Sequence, residues 1–220
     1  MKVISVIGQK GGSGKSTVTV HLAVCAEQAG LSAAIIDTDP QGSAHKWFER
    51  RSASTPGVVR EIDADVLPNL ITRARANGVD VLLVDTPGKA ETMALAACEL
   101  ADMVLVPIRP TQFDLETLGT VKRTIRIAER TNYAWVMLNQ CPTSSKRAVD
   151  QGEEVVRQYG LNLAPQRFYT RADFSHALAG GLTAPEFNDG GKAADEARDL
   201  FQWINSALPL ARKQQRAVGQ

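Results

Sequence analysis

The sequence predicts an α/β fold in which a mostly parallel β-sheet is covered by helices on both faces. Short apolar runs alternate with helical patterns along the chain, and these runs are continuous, as in strands that are buried on both faces. The chain has 220 residues, of which 44% are hydrophobic, so one sizeable core can form. In such sheets, ligands bind beyond the carboxyl ends of the strands.

The predicted elements follow one another in a regular order. Each strand is a short apolar run, and Gly30 ends the first helix because glycine is typical of the position after a helix. Strands are predicted at 3–7, 33–36, 58–62, 81–84, 103–107 and 134–138, with a last strand within 161–170. Helices are predicted at 15–29, 44–51, 70–76, 91–100, 115–129, 148–159 and 193–207, and near Phe174. We expect residues 1–208 to form one domain and residues 209–220 to form a basic C-terminal tail.

Composition and charge exclude several classes of protein. The net charge is +1, so any contact with nucleic acid must come from a local basic patch. The three cysteines form no C-x-x-C pair, which argues against a disulfide framework and fits a reducing cytosol. The first strand starts directly at the N-terminus, so we expect no signal peptide. No apolar stretch approaches the roughly 18 residues of a membrane span, so we expect no membrane partner.

A glycine-rich loop follows the first strand and precedes the first helix. Gly11, Gly12 and Gly14 let the backbone turn tightly and bring its N–H groups close to phosphate oxygens. The helix that begins near Lys15 directs its positive end at the same anion. Gly14-Lys15-Ser16 matches the end of a P-loop, in which the lysine reaches the β- and γ-phosphates and the hydroxyl binds Mg²⁺. The sequence therefore predicts a phosphate-binding site here.

The loop departs from the usual P-loop pattern at its start. Gln9 stands where that pattern has a glycine, and Lys10 adds a second lysine to the loop. Such a lysine can act within its own subunit, or it can reach across a dimer into the partner's nucleotide, as an arginine finger does in trans. The residues themselves leave both alternatives open.

Two acidic residues follow the strand at 33–36. Asp37 and Asp39 lie in the stretch D-T-D-P-Q-G. Two acids beside a phosphate site would repel a nucleotide unless Mg²⁺ or water chemistry requires them. Asp, Pro and Gly are also ordinary turn residues, so a purely structural turn is the alternative.

Two further strand ends carry polar residues. Asp85 follows the apolar run at 81–84, as in a Walker B sequence whose carboxylate binds Mg²⁺, usually through water. Asn139 follows the strand at 134–138, and its carboxamide can pair with the N6/N7 edge of adenine. A turn asparagine is the alternative for Asn139.

The segment K-G-G-S-G-K-S-T resembles the deviant Walker A motif of the ParA/MinD family of ATPases, which are P-loop NTPases. D-x-D-P-Q-G and D-T-P-G are similar to the two switches of that family. The resemblance covers nearly the whole chain except 52–69, and it is closest to the small ParA-type partition proteins. It implies that Lys10 works across an ATP-sandwich homodimer. It further implies that Asp37 lies near the Mg²⁺ shell and that Asp39 positions the attacking water.

The resemblance implies a site with ATP and Mg²⁺ as cofactors, and slow ATP hydrolysis that a partner stimulates. It also places an adenine-contacting asparagine where this chain has Asn139. The predicted catalytic residues are Lys10, Lys15 and Asp39. The predicted magnesium ligands are Ser16, Asp37 and Asp85. The predicted nucleotide-binding residues are Lys10, Gly11, Gly12, Ser13, Gly14, Lys15, Ser16, Thr17 and Asn139.

Two basic features are candidate DNA contacts. Lys122, Arg126 and Arg130 are spaced to share one helix face, and Arg123 lies beside them. The basic residues of the tail are Arg212, Lys213 and Arg216. Sequence-independent contact with DNA phosphates is one interpretation. The alternative interpretation is structural: the helix residues form a solvated charged face, and the tail residues belong to a frayed chain end.

Together with the residues above, the family resemblance implies a cytoplasmic, nucleoid-associated partition or positioning ATPase. We expect it to dimerise on ATP, to bind DNA nonspecifically and to work with a ParB-like or other small adaptor protein. No helix-turn-helix extension precedes the first strand, so we expect no specific operator binding. A MinD-like membrane regulator is one alternative, but the apolar stripe near the C-terminus fits core packing better. A dethiobiotin-synthetase-like ATP-dependent ligase, which needs a small-substrate pocket, is a less favoured alternative.

Overall fold

The computed structural model describes residues 1–210 and shows a seven-stranded parallel sheet. The strands are β1 Lys2–Val6, β2 Ala33–Asp37, β3 Gly57–Arg60, β4 Val81–Asp85, β5 Met103–Ile108, β6 Ala134–Leu138 and β7 Asn162–Leu163. Their order across the sheet is β3-β2-β4-β1-β5-β6-β7. The predicted fold class is confirmed, since every pair of neighbouring strands is parallel.

Helices connect the strands and cover the sheet. They are α1 Lys15–Gln28, α2 Ser43–Glu49, α3 Leu67–Ala76, α4 Glu91–Glu99, α5 Gln112–Leu115, α6 Leu118–Ile127, α7 Lys146–Gln158, α8 Ala172–Ala179, α9 Ala184–Phe187 and α10 Lys192–Ala207. Among residues 1–210, no helix is long and apolar enough to cross a membrane.

The central strand β1 determines where the site lies. It pairs with β4 on one side and with β5 on the other, so the chain that leaves β1 does so at a topological switch point of the sheet. In the registers of β4, Asp85 lies opposite both Val6 and Asp37. The carboxyl ends of three neighbouring strands therefore place the first loop and two acids side by side.

Apolar side chains from alternate strand positions fill a core on each face of the sheet. Ile4 and Leu83 contribute to the cluster under α1 and α10, whereas Val3 and Leu82 contribute to a cluster on the opposite face. This alternation follows the two-residue period of a strand. The C-terminal stripe belongs to the first cluster, which confirms its prediction as core: Leu200, Trp203, Ile204 and Leu208.

Two of the predicted elements are wrong in their extent. The helix predicted at 115–129 is shorter, since α6 covers Leu118–Ile127 and the separate short helix α5 ends at Leu115. The Asp114 carboxylate accepts hydrogen bonds from Arg109 and Thr111, and its carbonyl accepts one from the Thr117 hydroxyl at 2.6 Å. The last strand covers only two residues of 161–170. Segment 52–69, which the family resemblance does not cover, supplies the edge strand β3, predicted at 58–62, and a 3₁₀ turn at Ala64–Val66.

Candidate functional site

The loop between β1 and α1 forms a backbone cradle at the start of α1. Gly14 precedes α1 with a φ of 86°, in the left-handed region that favours glycine. A Cβ at Gly14 would also collide with the carboxamide of Asn139. Because α1 begins at Lys15, its free N–H groups and the positive end of its dipole face the loop, which suits an anion.

Lys15 is buried at the first position of α1. Its Nζ donates a 3.0 Å hydrogen bond to the carbonyl of Lys10. Burial lowers the pKa of Lys15, while the carboxylates of Asp85 and Asp39 act in the opposite direction. Because a buried ammonium requires a polar or anionic partner, Lys15 is placed to receive a phosphate group in the cradle.

Lys10 is held by its backbone, and its side chain lies against an aromatic ring. The Lys10 carbonyl accepts hydrogen bonds from Lys15 Nζ and, at 3.4 Å, from Ser13 Oγ. The Lys10 ammonium lies 5.5 Å from the ring centroid of Phe113 on α5, a residue that is 72% exposed. Such a contact at an exposed site contributes about 0.5–1 kcal/mol. The charged end of Lys10 is therefore weakly held and remains available to another anion.

Asp37 ends β2 and organises the turn that follows. Its Oδ1 accepts a hydrogen bond from the Asp39 N–H at 3.1 Å, and its Oδ2 accepts one from the His45 N–H at 2.9 Å. Burial raises the pKa of Asp37, while these backbone hydrogen bonds lower it. Asp37 thus stabilises the first turn of α2, as expected if D-T-D-P-Q-G forms a structural turn. Its contact with Mg²⁺ stays a prediction.

Asp39 lies two residues further on and faces the cavity in front of the loop. Its Oδ1 accepts a 2.9 Å hydrogen bond from the Gln41 N–H, so the side chain is oriented by its own turn. The two acids of D-T-D-P-Q-G therefore have different surroundings. Asp37 is buried in the frame of the turn, and Asp39 is open to a ligand or water.

Asp85 is fully buried at the end of β4. Its Oδ1 lies 3.5 Å from the Thr19 hydroxyl, and its Oδ2 has no hydrogen-bond partner among residues 1–210. Burial raises the pKa of Asp85 to about 7, the nearby Ser16 hydroxyl lowers it, and Asp37 raises it further. A buried carboxylate oxygen without a partner fits a hard cation such as Mg²⁺, which takes oxygen ligands. In the described part of the chain, no group of three or more His, Cys, Asp or Glu side chains could hold a metal ion alone.

The segment after Asp85 runs against the phosphate loop. The Thr86 hydroxyl donates a 2.9 Å hydrogen bond to the Val6 carbonyl. A Cβ at Gly88 would lie 2.7 Å from the backbone nitrogen of Gly11 and 2.8 Å from the carbonyl carbon of Lys10. Only a residue without a side chain allows this approach. The predicted second switch is therefore in direct backbone contact with the loop.

Asn139 and Gln140 brace the loop from the end of β6. Asn139 Nδ2 donates a 2.6 Å hydrogen bond to the Ser13 carbonyl, and its Oδ1 accepts one from the Gln140 N–H. Gln140 Nε2 donates to the Gly12 carbonyl at 2.9 Å. The adenine contact of Asn139 stays a prediction. Gln140 was not predicted from the sequence, although it directly follows a candidate residue at a strand end.

These residues surround a cavity of about 710 Å³, within the range usual for small-molecule sites. The phosphate loop, Asp39 and Gly88 form one side of its lining. The other side consists of residues that the sequence did not indicate: Lys46, Trp47, Arg50 and Leu178. They come from α2 and from the end of α8, which no sequence motif connects with the loop.

The predicted basic helix face is wrong for one of its members. Because α6 ends at Ile127, Arg130 lies beyond the helix, where its guanidinium donates to the carbonyls of Glu99 and Ala101. Lys122 Nζ donates to the Tyr159 carbonyl at 2.6 Å. Arg123 and Arg126 remain exposed on α6. DNA contact by any of these residues stays a prediction, and the predicted tail contacts lie outside the described residues: Arg212, Lys213 and Arg216.

His21 connects the loop helix to the C-terminal part of the fold. Its Nδ1 lies 2.7 Å from the Thr17 carbonyl, and its Nε2 accepts a 2.9 Å hydrogen bond from the Ala184 N–H. The ring is therefore neutral, with its proton on Nδ1, and burial lowers its pKa to about 4. A lone histidine on a helix has no ligand spacing, so the sequence alone does not indicate this role.

The fold and the loop after β1 define a P-loop protein, whose candidate nucleotide site lies at neighbouring strand ends. The family model of the CobQ/CobB/MinD/ParA nucleotide binding domain matches residues 4–179, and the chain belongs to this family. The chain is 32% identical to the Maintenance of carboxysome distribution protein A of Gloeobacter kilaueensis over 94% of both chains. It is 25% identical to Protein IncC of Escherichia coli over 96% of this chain and 71% of IncC.

Solved structures with this fold include proteins of different activities. MinD of Pyrococcus horikoshii, in complex with Mg-ADP, superimposes with a TM-score of 0.77 at 16% identity, covering 94% of this chain and 96% of MinD. Cobyrinic acid a,c-diamide synthase of Mycobacterium smegmatis, with an ATP analogue and magnesium, gives 0.73 at 16% identity over 95% and 96%. At 16% identity, these similarities establish the fold alone, and the activity must be argued from the residues of the site.

Proposed function

We propose that this protein is a partition or positioning ATPase that binds ATP with Mg²⁺, dimerises on it and then binds DNA without sequence specificity. The observation that carries the proposal is the position of Lys10. Its backbone is fixed to Lys15, while its ammonium rests on the exposed ring of Phe113. A lysine held in this way can serve a nucleotide bound outside its own loop. The names of several relatives, among them ParA and Soj, also support this class.

The residues of the site have separate roles in ATP hydrolysis. Lys15 and the N–H groups at the start of α1 bind the phosphates, and Ser16 and Asp85 would hold the ion. Mg²⁺, when bound, neutralises charge on the β- and γ-phosphates. Asp39 accepts a hydrogen bond from a water molecule in the cavity and orients it toward the terminal phosphate. Lys10 of the second subunit adds positive charge at the same phosphate.

The cargo of such a protein is a plasmid, a chromosome region or a protein assembly, and a small adaptor protein stimulates hydrolysis and release. Binding to DNA would locate the ATP-bound dimer on the nucleoid. Arg123 and Arg126 are one turn apart on α6 and exposed, so they can contact DNA phosphates without losing internal hydrogen bonds. Lys122 and Arg130 would have to break their hydrogen bonds to backbone carbonyls before they could contact DNA.

Light scattering and DNA-binding measurements with different nucleotides test the proposal. With a nonhydrolysable ATP analogue and Mg²⁺, the mass should double and random-sequence DNA should be bound, with an affinity that falls steeply with salt. With ADP, the protein should remain a monomer. Lys15→Ala should abolish both effects, because it removes the phosphate ligand. Equal DNA affinity with and without nucleotide would contradict the proposal.

A matched pair of double variants tests the DNA surface. Arg123→Ala with Arg126→Ala should weaken DNA binding evenly across sequences and reduce the salt dependence. Arg73→Ala with Arg75→Ala removes the same charge from the exposed end of α3 and serves as the control. If the control pair weakens binding more than the α6 pair, the DNA surface lies elsewhere.

A small-substrate ligase is the second candidate function. The observation that favours it is the extension of the cavity to Trp47 and Leu178, beyond the phosphate loop. Turnover of ATP that depends on an added small carboxylic acid, and not on DNA, would identify this activity. The membrane alternative loses its main support, because Leu200 and Ile204 are fully buried in the core.

A further inference from the structure

The segment 178–186, here named the clamp segment, joins the two helices that carry the nucleotide site. It runs from the end of α8 into α9. On one side it contacts α2, the helix that follows Asp39, and on the other it contacts α1, the helix that follows the phosphate loop. Both contacts consist of hydrogen bonds from named side chains rather than of apolar packing alone.

The C-terminal end of α2 is fixed to the clamp segment at several points. Trp47 Nε1 donates to the Leu182 carbonyl at 3.0 Å. Arg51 donates to the Gly181 carbonyl at 3.1 Å and makes a two-pronged ion pair with Glu186 at 2.9 and 2.6 Å. The Arg51 side chain is only 6% exposed and lies over the Trp47 ring. Two parallel hydrogen bonds to a carboxylate fix both distance and orientation.

Glu186 is itself held within the clamp segment. Its Oε2 accepts hydrogen bonds from the N–H and the hydroxyl of Thr183, in a capping box at the start of α9. Gly181, with a φ of 71°, allows close approach: a Cβ there would lie 2.5 Å from the carbonyl carbon of Arg50. The partner of Arg51 is therefore rigid, and a movement of α2 requires the ion pair to break.

The stretch that contains Asp39 directly precedes the N-terminal end of α2. Asp37 holds the first turn of α2 through the His45 N–H, and Asp39 precedes that turn by a few residues. Seven residues of helix span about 10 Å, so α2 acts as a short rod between Asp39 and Arg51. His21 links the same clamp segment to the Thr17 carbonyl. The clamp segment thus fixes the position of Asp39 relative to the phosphate loop.

We propose that Arg51 and Glu186 are positioning residues for ATP hydrolysis, which act through α2 to place Asp39. This inference rests on the proposed function. A displacement of about 1 Å at a reacting group can lower a rate by about a hundredfold. The ion pair does not touch the phosphate cradle, so its loss should change turnover and not ATP affinity.

Steady-state kinetics of Arg51→Lys and Glu186→Gln test the proposal. Lysine keeps the charge and the aliphatic stem but lacks the two-pronged guanidinium. In both variants kcat should fall about tenfold or more, while KM and the affinity for a nonhydrolysable ATP analogue stay within about twofold. The double variant should be no slower than the slower single variant, because the two residues act as one unit.

The matched control is Arg167→Lys, which alters a 2.7 Å ion pair with Glu153 on α7, away from α2. It should leave kcat unchanged. Trp47 supplies a spectroscopic readout, because its indole lines the cavity and donates to the clamp segment. Its emission, taken as the difference from Trp47→Phe, should shift to longer wavelength in Arg51→Lys but not in Arg167→Lys.

Two results would overturn the proposal: kcat within twofold of wild type in both variants, or an equal loss of kcat and of ATP affinity. If Arg51→Lys does not fold, Glu186→Gln alone decides. If the wild type shows no ATP turnover, the proposed function fails. In that case the Trp47 emission alone tests whether Arg51 fixes α2 to the clamp segment. An unshifted spectrum in Arg51→Lys would contradict this role.

Discussion

His21 is a single side chain whose protonation state is fixed by the fold. Nε2 must remain unprotonated to accept the Ala184 N–H, and Nδ1 must carry the proton that reaches the Thr17 carbonyl. If Nε2 were protonated, its N–H group and the Ala184 N–H group would face each other as two donors without an acceptor. The ring is fully buried and contacts Phe168 and Phe174 edge-on, so its surroundings disfavour a charge.

The stability of the protein should therefore depend on pH through His21. Its pKa is about 4 in the fold and 6.5 unfolded, so the unfolded state binds the extra proton between these values. The contribution of neutral His21 is complete above pH 6.5 and is lost as pH falls toward 4. Between pH 7.5 and 5, wild type should lose about 2 kcal/mol relative to His21→Gln. Urea unfolding of both proteins at the two pH values measures this difference, and parallel pH profiles would contradict it.

Gly88 should tolerate no side chain. A methyl group there meets the backbone of Lys10 and Gly11, so Gly88→Ala must displace the phosphate loop or the second switch. We expect ATP affinity to fall at least tenfold, measured with a fluorescent ATP analogue. Gly57→Ala in β3 is the control, because a Cβ at Gly57 meets nothing within 4 Å. Wild-type affinity in Gly88→Ala would show that the loop is free to move aside.

Among the elements, α7 depends on its N-cap, the residue that directly precedes its first turn. The Ser145 hydroxyl accepts a hydrogen bond from the Ala148 N–H at the start of the helix. Ser145→Ala should lower the free energy of unfolding by about 1 kcal/mol, or the melting temperature by about 2–4 °C, without a change in ATP turnover. Ser144→Ala removes the same hydroxyl from the exposed neighbouring position and should have no effect. An equal loss in both variants would show that Ser145 does not cap α7.

Elements that depend on local pattern were predictable, and those that depend on distant contacts were not. The apolar run before Asp85 predicts β4, because a continuous apolar run is the sequence pattern of a strand that is buried on both faces. The break before α6 was missed although its contacts are local, because the hydrogen bonds of Asp114 with Arg109 and Thr111 interrupt a helical pattern that has no glycine or proline at the break. In the site, the loop residues and Asp85 follow from the sequence, since their motif is continuous. The brace from Asn139 to Ser13 spans 126 positions, and no local pattern indicates it.

At the scale of the whole molecule, the role of Lys10 is tested by mixing two inactive proteins. Lys10→Ala should bind ATP through Lys15 but fail to form a productive dimer. Asp39→Ala should form an ATP-bound dimer without turnover. In a mixed dimer, one site has an intact Asp39 and receives Lys10 from the Asp39→Ala subunit, so ATP hydrolysis should reappear. No recovery, despite mixed dimers shown by light scattering, would indicate that Lys10 acts within its own subunit.

In the proposed dimer, the contact between Lys10 and Phe113 would affect how readily one subunit binds the other. A stabilisation of about 0.5–1 kcal/mol corresponds to an occupancy ratio of only about two to five in favour of the ring. A resting subunit therefore presents a free ammonium for an appreciable share of the time. In the proposed dimer, an incoming nucleotide would therefore not depend on a rare conformation of Lys10. Each Lys10 that rests on its own Phe113 would reduce the apparent affinity between subunits by a factor of about three to six.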